Sequence, residues 1–206
     1  MTDNHDPMIV NALVRQALTS AQEVMGENGL TTVLKTSGLE RFVGNFPPDN
    51  LEPSINASQY AKLNEAIEAF YGRGGRGMLR RIGKASFQYA VREQAALLGL
   101  AGVALKLLPE KQRIKFILNS MANALKKSNP QVDARLDDSG ERLAYMESTC
   151  AICYGRHSEV PVCYLYVGSI GEAIQWATGR EYQVVETHCV AKGDPYCRFE
   201  IGDARE

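Results

Sequence analysis

The chain is 206 residues long, 45% hydrophobic and 23% charged, with 23 basic against 24 acidic side chains and a formal net charge of -1. That is enough apolar material for one substantial core or two small ones, and it excludes a disordered or fibrous chain. So neutral a balance offers no basic excess to attract nucleic acid or an anionic membrane, and neither is expected as a partner.

The first residues, MTDNHDP, carry neither a basic stretch nor an apolar one, so no secretory signal is read there and a cytoplasmic location is expected. Val10, Leu13, Val14, Ala17, Leu18 and Val24 then recur at helical spacing, and Gly26 with Asn28-Gly29 predicts a stop. Pro47, Pro48 and Pro53 make the stretch from Gly44 to Ser58 an extended connection, leading to a helix from about Gln59 to Tyr71. The run GRGGRG reads as a turn. From about Met78 to Leu107 the pattern is helical and increasingly apolar on all sides, as in a central helix surrounded by others. Its longest apolar run, Ala95 to Leu105, is eleven residues, which suits a buried helix and falls short of a membrane span. After Pro109, the residues Ile114, Ile117, Leu118, Met121 and Leu125 form one face of a helix that must end before Pro130.

Past Pro130 the texture changes to strands. Segments around Val132 to Asp137 and Arg142 to Tyr154 flank Asp138-Ser139-Gly140, a hairpin signal. A helix fits from Tyr164 to Thr178 with Gly179 as its stop. Two further strands, roughly Glu181 to Val190 and Tyr196 to Ile201, flank the turn Lys192-Gly193-Asp194-Pro195. Helices first and then β-β-α-β-β predict an α+β fold, with the N-terminal helices packed on a C-terminal antiparallel sheet.

All five cysteines, Cys150, Cys153, Cys163, Cys189 and Cys197, fall in the last 57 residues. In a chain without an export signal they read as reduced thiols or metal ligands, not as a disulfide framework. A Glu186-x2-Cys189-x7-Cys197 cluster closes the run, and three thiols with a carboxylate make a suitable donor set for tetrahedral zinc. Cysteines near strands are also common as small buried hydrophobes. Glu186 and Cys189, three apart, would point to opposite faces of a flat strand, so a bulge or a strand end is required. Cys150-Ala-Ile-Cys153 leaves three readings open: a redox dithiol, an alternative pair of metal ligands, or two packed thiols on a strand. His157 and His188 read as packed or surface residues, since His188 beside Cys189 faces the other way along an extended chain.

No dinucleotide fingerprint follows a strand, and Gly77-x5-Gly83-Lys84 has the wrong spacing for a phosphate loop and Ala85 in place of its hydroxyl residue. The basic cluster Arg73, Arg76, Arg80, Arg81 and Lys84 reads as a solvated face, or as a place at a helix start for an anion or a partner's acidic face.

The segment from CAICYGRHSEVPVCYLYVG through ATGREYQVVETHCVAKGDPYCRFEI, with its late E-x2-C-x-x-x-G-D-x-x-C run, resembles the 4-vinyl-reductase domain family, and FYGRGGRGMLRRIGK resembles the helical part that precedes it. The resemblance is weakest before about residue 55. It implies kinship with subunits of the TRAPP vesicle-tethering complex, with haem-based nitric oxide sensors, and with the sensing domains of bacterial regulators that respond to phenol and other aromatics. It further implies a structural zinc on Cys163, Glu186, Cys189 and Cys197; three thiolates and a carboxylate on that dication leave a charge of about -2, which Lys192 or Arg198 would partly offset. The implied organisation is an N-terminal helical segment over 1–55 and a ligand-binding unit over 56–206, helical over 56–130 and zinc-containing over 131–206, all expected to form one compact body. The family theme of an apolar cavity between helices and sheet implies a small hydrophobic or aromatic guest. Tyr89, Leu97, Leu98, Val103, Phe116, Met121, Tyr164 and Trp176 are candidates for lining it, or for filling a solid core. Where aromatic-sensing relatives carry tyrosines this chain has Val167 and Val184, which implies a more apolar ligand than phenol.

The expected function is therefore a zinc-containing small-molecule-binding protein, sensor or carrier, dimeric through its helices. The alternatives are a vinyl reductase or its accessory in bacteriochlorophyll synthesis, implied only by the family name, and an interaction scaffold like the vesicle-tethering relatives.

Overall fold

A computed structural model describes residues 6–93 and 104–205. The N-terminal part opens with a short strand, β1 (Met8–Val10), that runs directly into α1 (Asn11–Thr36). β1 pairs antiparallel with β2 (Pro53–Asn56), which leads into α2 (Ala57–Tyr71) through a reciprocal cap between Asn56 and Gln59. After a single 3-10 turn at Gly72–Gly74 comes α3 (Gly75–Glu93), and beyond Pro109 lies α4 (Glu110–Ser128). The C-terminal part holds β3 (Ala134–Asp137), β4 (Ala144–Glu147), α5 (Tyr164–Thr178), β5 (Tyr182–His188) and β6 (Cys197–Ala204).

The four C-terminal strands form one antiparallel sheet in the order β3-β4-β6-β5, with β6 paired on both sides. This is the expected α+β arrangement with β-β-α-β-β order. Apolar side chains from both parts meet in one core, which includes Leu18, Leu34, Leu79, Ile82, Ile117, Leu118, Ile170, Ile174 and Phe199. α5 lies between the sheet and α3, and two glycines allow the helices to touch. A Cβ on Gly168 would stand 2.0 Å from the Arg80 carbonyl oxygen, and one on Gly83 would stand 2.0 Å from that of Leu165. Backbones therefore meet where any side chain would hold them apart.

Several elements differ from expectation. Gly26 does not end the first helix: its φ of 76° turns the chain sharply, and the helix resumes to bury Leu30, Val33 and Leu34. Three of the six residues of GRGGRG are already in α3. The long helix expected through Leu107 does not reach it, because 104–107 is a 3-10 turn with Leu107 86% exposed; Leu97, Leu98 and Val103 lie outside the described residues. The strand expected through Tyr154 stops at Glu147, so Cys150 and Cys153 sit in turns and not on a strand. Among the described residues no helix is long and apolar enough to cross a membrane.

Candidate metal centre and apolar cavity

Four separate places along the chain deliver the thiols. The turn after β4 brings Cys150 and Cys153, Cys163 stands immediately before α5, Cys189 follows the last residue of β5, and Cys197 opens β6. The ladder between β5 and β6 shifts register between Glu186 and His188, and that irregularity lets Glu186 and Cys189 converge despite their odd spacing. Gly193, at a φ of 94°, closes the turn that returns the chain to Cys197, and Asp194 braces it by accepting the Cys189 N–H at 2.8 Å.

The ligand atoms of Cys163, Glu186, Cys189 and Cys197 all lie within 4.8 Å of one another, and every one of these residues is buried. Cys163 Sγ is 3.9 Å from both Cys189 Sγ and Cys197 Sγ. With a zinc–thiolate bond of about 2.3 Å, the edge of a tetrahedron is about 3.8 Å, so the sulfurs are already at the spacing that ion imposes. One Glu186 oxygen accepts the Cys163 N–H at 2.8 Å, while the other is buried without a hydrogen-bond partner. Burial pushes the Glu186 carboxyl up, as expected of a carboxylate short of a cation. Cys197 Sγ accepts the Val190 N–H at 3.4 Å. The donors thus fit a tetrahedral ion with a preference for sulfur.

Lys192 and Arg198, expected to offset charge on this cluster, each pair with carboxylates. Lys192 lies 3.8 Å from Asp194, and Arg198 pairs with Asp137 and Glu200. His188 stacks near Tyr196, with ring centroids 5.4 Å apart. The sulfurs of a second group, Cys150, Cys153, Cys163 and Cys197, likewise lie within 4.8 Å of one another. Burial drives the Cys150 and Cys163 thiols above their ordinary range, so both hold their protons unless a cation replaces them.

Beside the cluster lies an apolar cavity of about 130 Å³. Its walls come from β1 and α1 (Ile9, Leu13, Gln16), α3 (Ser86, Phe87, Ala90), α4 (Met121, Ala124, Leu125) and α5 (Leu165, Tyr166, Ser169). Ala151 and Ile152, the two residues between Cys150 and Cys153, complete it with Tyr60 and Tyr145. Gln16 donates to the Ser86 hydroxyl and carbonyl at 2.9 Å, which fixes a polar spot on an otherwise greasy wall. Under the floor, Glu147 is 1% exposed and accepts from Tyr166, whose own ring is 5.9 Å from that of Tyr145. Burial raises the Glu147 carboxyl to about 8 and one of its oxygens has no partner.

Of the residues expected to line a pocket, Met121 lines this cavity. Tyr164, Val167 and Val184 instead line an outer groove of about 480 Å³ between α5 and β5 that reaches Glu186. Tyr89 is buried in α3 away from either wall, Phe116 packs half-buried against the core, and Trp176 is 39% exposed with its ring edge toward Phe87. Leu97 lies outside the described residues. The basic cluster of α3 is largely engaged: Arg76 and Arg80 each stand 5.3 Å from the Tyr164 ring, Arg76 is 3.7 Å from Glu68, and Lys84 is 3.2 Å from Glu181. Glu147 and the polar spot on α1 carry no signal in the sequence. An acidic residue in a strand reads as solvent-facing, and only the burial of all four β4 residues reveals otherwise.

Comparison with known proteins gives a family match in the C-terminal part and a shared fold over most of the chain. Residues 146–203 match the family model of the 4-vinyl-reductase domain, a stretch that covers all five cysteines, and the match bears out the resemblance there. No curated protein matches the chain. Among solved structures, a haem protein described under porphyrin distortion and haem redox potential aligns with a TM-score of 0.60 at 14% identity, covering 95% of this chain and all of that one. An H-NOX protein from S. oneidensis in its Fe(II)NO state gives 0.58 at 11% identity over 93% and 99% of the two chains. The unliganded H-NOX protein from K. algicida gives 0.59 at 11% identity over 96% and 97%. At these identities the likeness is one of fold. A haem does not fit the cavity as it stands, since about 130 Å³ is below the 300–1,000 Å³ typical even of drug-sized ligands.

Proposed function

We propose that this chain is a metal-stabilised module that binds a small, mainly apolar molecule and serves as a sensor or carrier of it. The observation that carries this reading is the meeting of Cys163, Glu186, Cys189 and Cys197 in the dry interior at tetrahedral spacing, beside an apolar cavity. Without an ion the cluster would leave a carboxylate oxygen buried and unpartnered, a cost of about 1–3 kcal/mol or more for a charged group. With four protein donors a zinc ion there has no open position, so it would act as a crosslink joining the start of α5 to the β5–β6 turn. Five reduced thiols also suit a cytoplasmic setting.

The cavity sets the guest. Its size is that of the engineered apolar cavities of about 150 Å³ that take benzene, and Gln16, Ser86 and Tyr166 would orient one hydroxyl or amine on it. Native mass spectrometry of the full chain purified from its own host tests both halves. The expected spectrum carries at least one zinc and an organic adduct of single-ring size, and chelation lowers the melting temperature. Metal-free fresh protein whose melting ignores chelators would overturn the reading.

A further inference from the structure

The zinc reading leaves Cys150 and Cys153 idle, yet the structure packs them as tightly as the other three. Cys150 Sγ is 3.6 Å from Cys163 Sγ, and Cys153 Sγ is 3.5 Å from Cys197 Sγ. We propose that the cluster is a two-ion thiolate centre. One divalent ion is held by Cys163, Glu186, Cys189 and Cys197, and a second by Cys150, Cys153, Cys163 and Cys197, with the sulfurs of Cys163 and Cys197 bridging both. This rests on the zinc reading above and extends it to the other half of the cluster.

Three observations carry it. The two groups of four donors share one pair, Cys163 and Cys197, whose sulfurs are 3.9 Å apart, so they are two tetrahedra joined along an edge. A thiolate sulfur has lone pairs enough to bind two ions at once, which a bridging position requires.

Neither group is sufficient alone. Filling the first leaves two buried thiols pressed against anionic sulfur, and filling the second leaves Glu186 with its orphaned oxygen and Cys189 unused. Filling both gives every donor a metal bond.

Charge does not oppose the second ion. Cys150 and Cys153 would each release a proton as a divalent cation enters, so the net charge of the centre stays the same. Sulfurs in mutual contact leave no room for the inorganic sulfide of an iron–sulfur cluster, which points to a thiolate-rich centre for zinc or a similar soft ion. The second ion would also clamp the 150–153 turn, whose Ala151 and Ile152 form part of the cavity wall.

The test is metal stoichiometry of the full, reduced chain, by elemental analysis with zinc and by cadmium-113 NMR after exchange. Two ions per chain are expected, one for each donor group, with two cadmium resonances, one from an all-sulfur site and one displaced by the Glu186 oxygen. In the Cys150→Ser/Cys153→Ser variant the content should halve and only the oxygen-containing resonance should remain. A wild-type chain that saturates with a single ion and shows one resonance would sink the two-ion centre and leave the zinc reading intact. A chain that takes up no ion would sink both. The wild-type count decides the matter even if the double variant does not fold.

Discussion

Glu147 ends β4 with 1% of its surface exposed, bonded to Tyr166 and to the Ala151 backbone, and burial lifts its carboxyl from the usual range to about 8. In the unfolded chain the same group ionises near 4.5. The folded form therefore holds a proton that the unfolded form has already lost between those values, and the linkage has a definite sign: stability falls as pH rises from about 4.5 to about 8. The size is on the order of 4 kcal/mol if Glu147 acts alone. Glu147→Gln keeps the shape and removes the titration, so denaturant unfolding at pH 5 and pH 8 should show a smaller loss in the variant than in the wild type. Equal losses would show that the carboxyl is solvated. Cys197 makes the complementary case, since it belongs to both groups of donors and is fully buried. Cys197→Ser should abolish metal retention and lower the melting temperature by about 10 °C, whereas His188→Ala, one residue from Cys189 but outside both groups, should retain the metal. The cysteines can be singled out from their spacing alone. Glu147 cannot, because a single acidic letter carries no sign of a strand covered on both faces.

The contact between α3 and α5 shows what can be read at the level of elements and what cannot. α4, α5 and the turns of the two C-terminal hairpins stand close to where periodicity and turn residues put them, because signals such as Pro130, Gly179 and Gly193 act locally and need no partner. β1 and β2 are invisible in the letters, being three and four residues long, with a proline inside the pairing. The rest of α1 is also hidden, since Gly26 looks like an end when only neighbours are considered, and it is tertiary burial of Leu30, Val33 and Leu34 that resumes the helix. The importance of Gly83 and Gly168 likewise emerges only in three dimensions, as each faces a carbonyl of the other helix. Gly168→Ala has an acceptable helical backbone and would gain about 1 kcal/mol in propensity at an exposed site. Here its methyl must push α3 away from α5, so a net loss of about 3 kcal/mol is expected by denaturant unfolding. Gly77→Ala, on α3 with open space around it, supplies the control and should be neutral or stabilising. Similar responses at both positions would mean that the helices do not cross as closely as described.

At the scale of the whole molecule, the cavity and the thiol cluster share a wall. Ala151 and Ile152 face the cavity while the cysteines on either side of them face the sulfur cluster, and Leu165 and Tyr166 line the cavity two and three residues beyond Cys163. An ion held by Cys150, Cys153 and Cys163 would therefore fix backbone on two sides of a bound guest, and the ordering entropy of those turns would not be met again when the guest binds. Such coupling must be reciprocal: if metal tightens the guest by some factor, the guest tightens metal by the same factor. Benzene is a suitable probe because it has no group that binds zinc directly. Its affinity, followed by NMR in metal-loaded and chelated protein, should fall by about fivefold or more on chelation, within the usual range of coupling between sites. In the reverse direction, saturating benzene should lower the free zinc concentration needed for half-occupancy by that same factor. Benzene binding unaffected by chelation, in protein shown to be folded in both states, would uncouple the two and reduce the metal centre to a crosslink with no influence on the cavity.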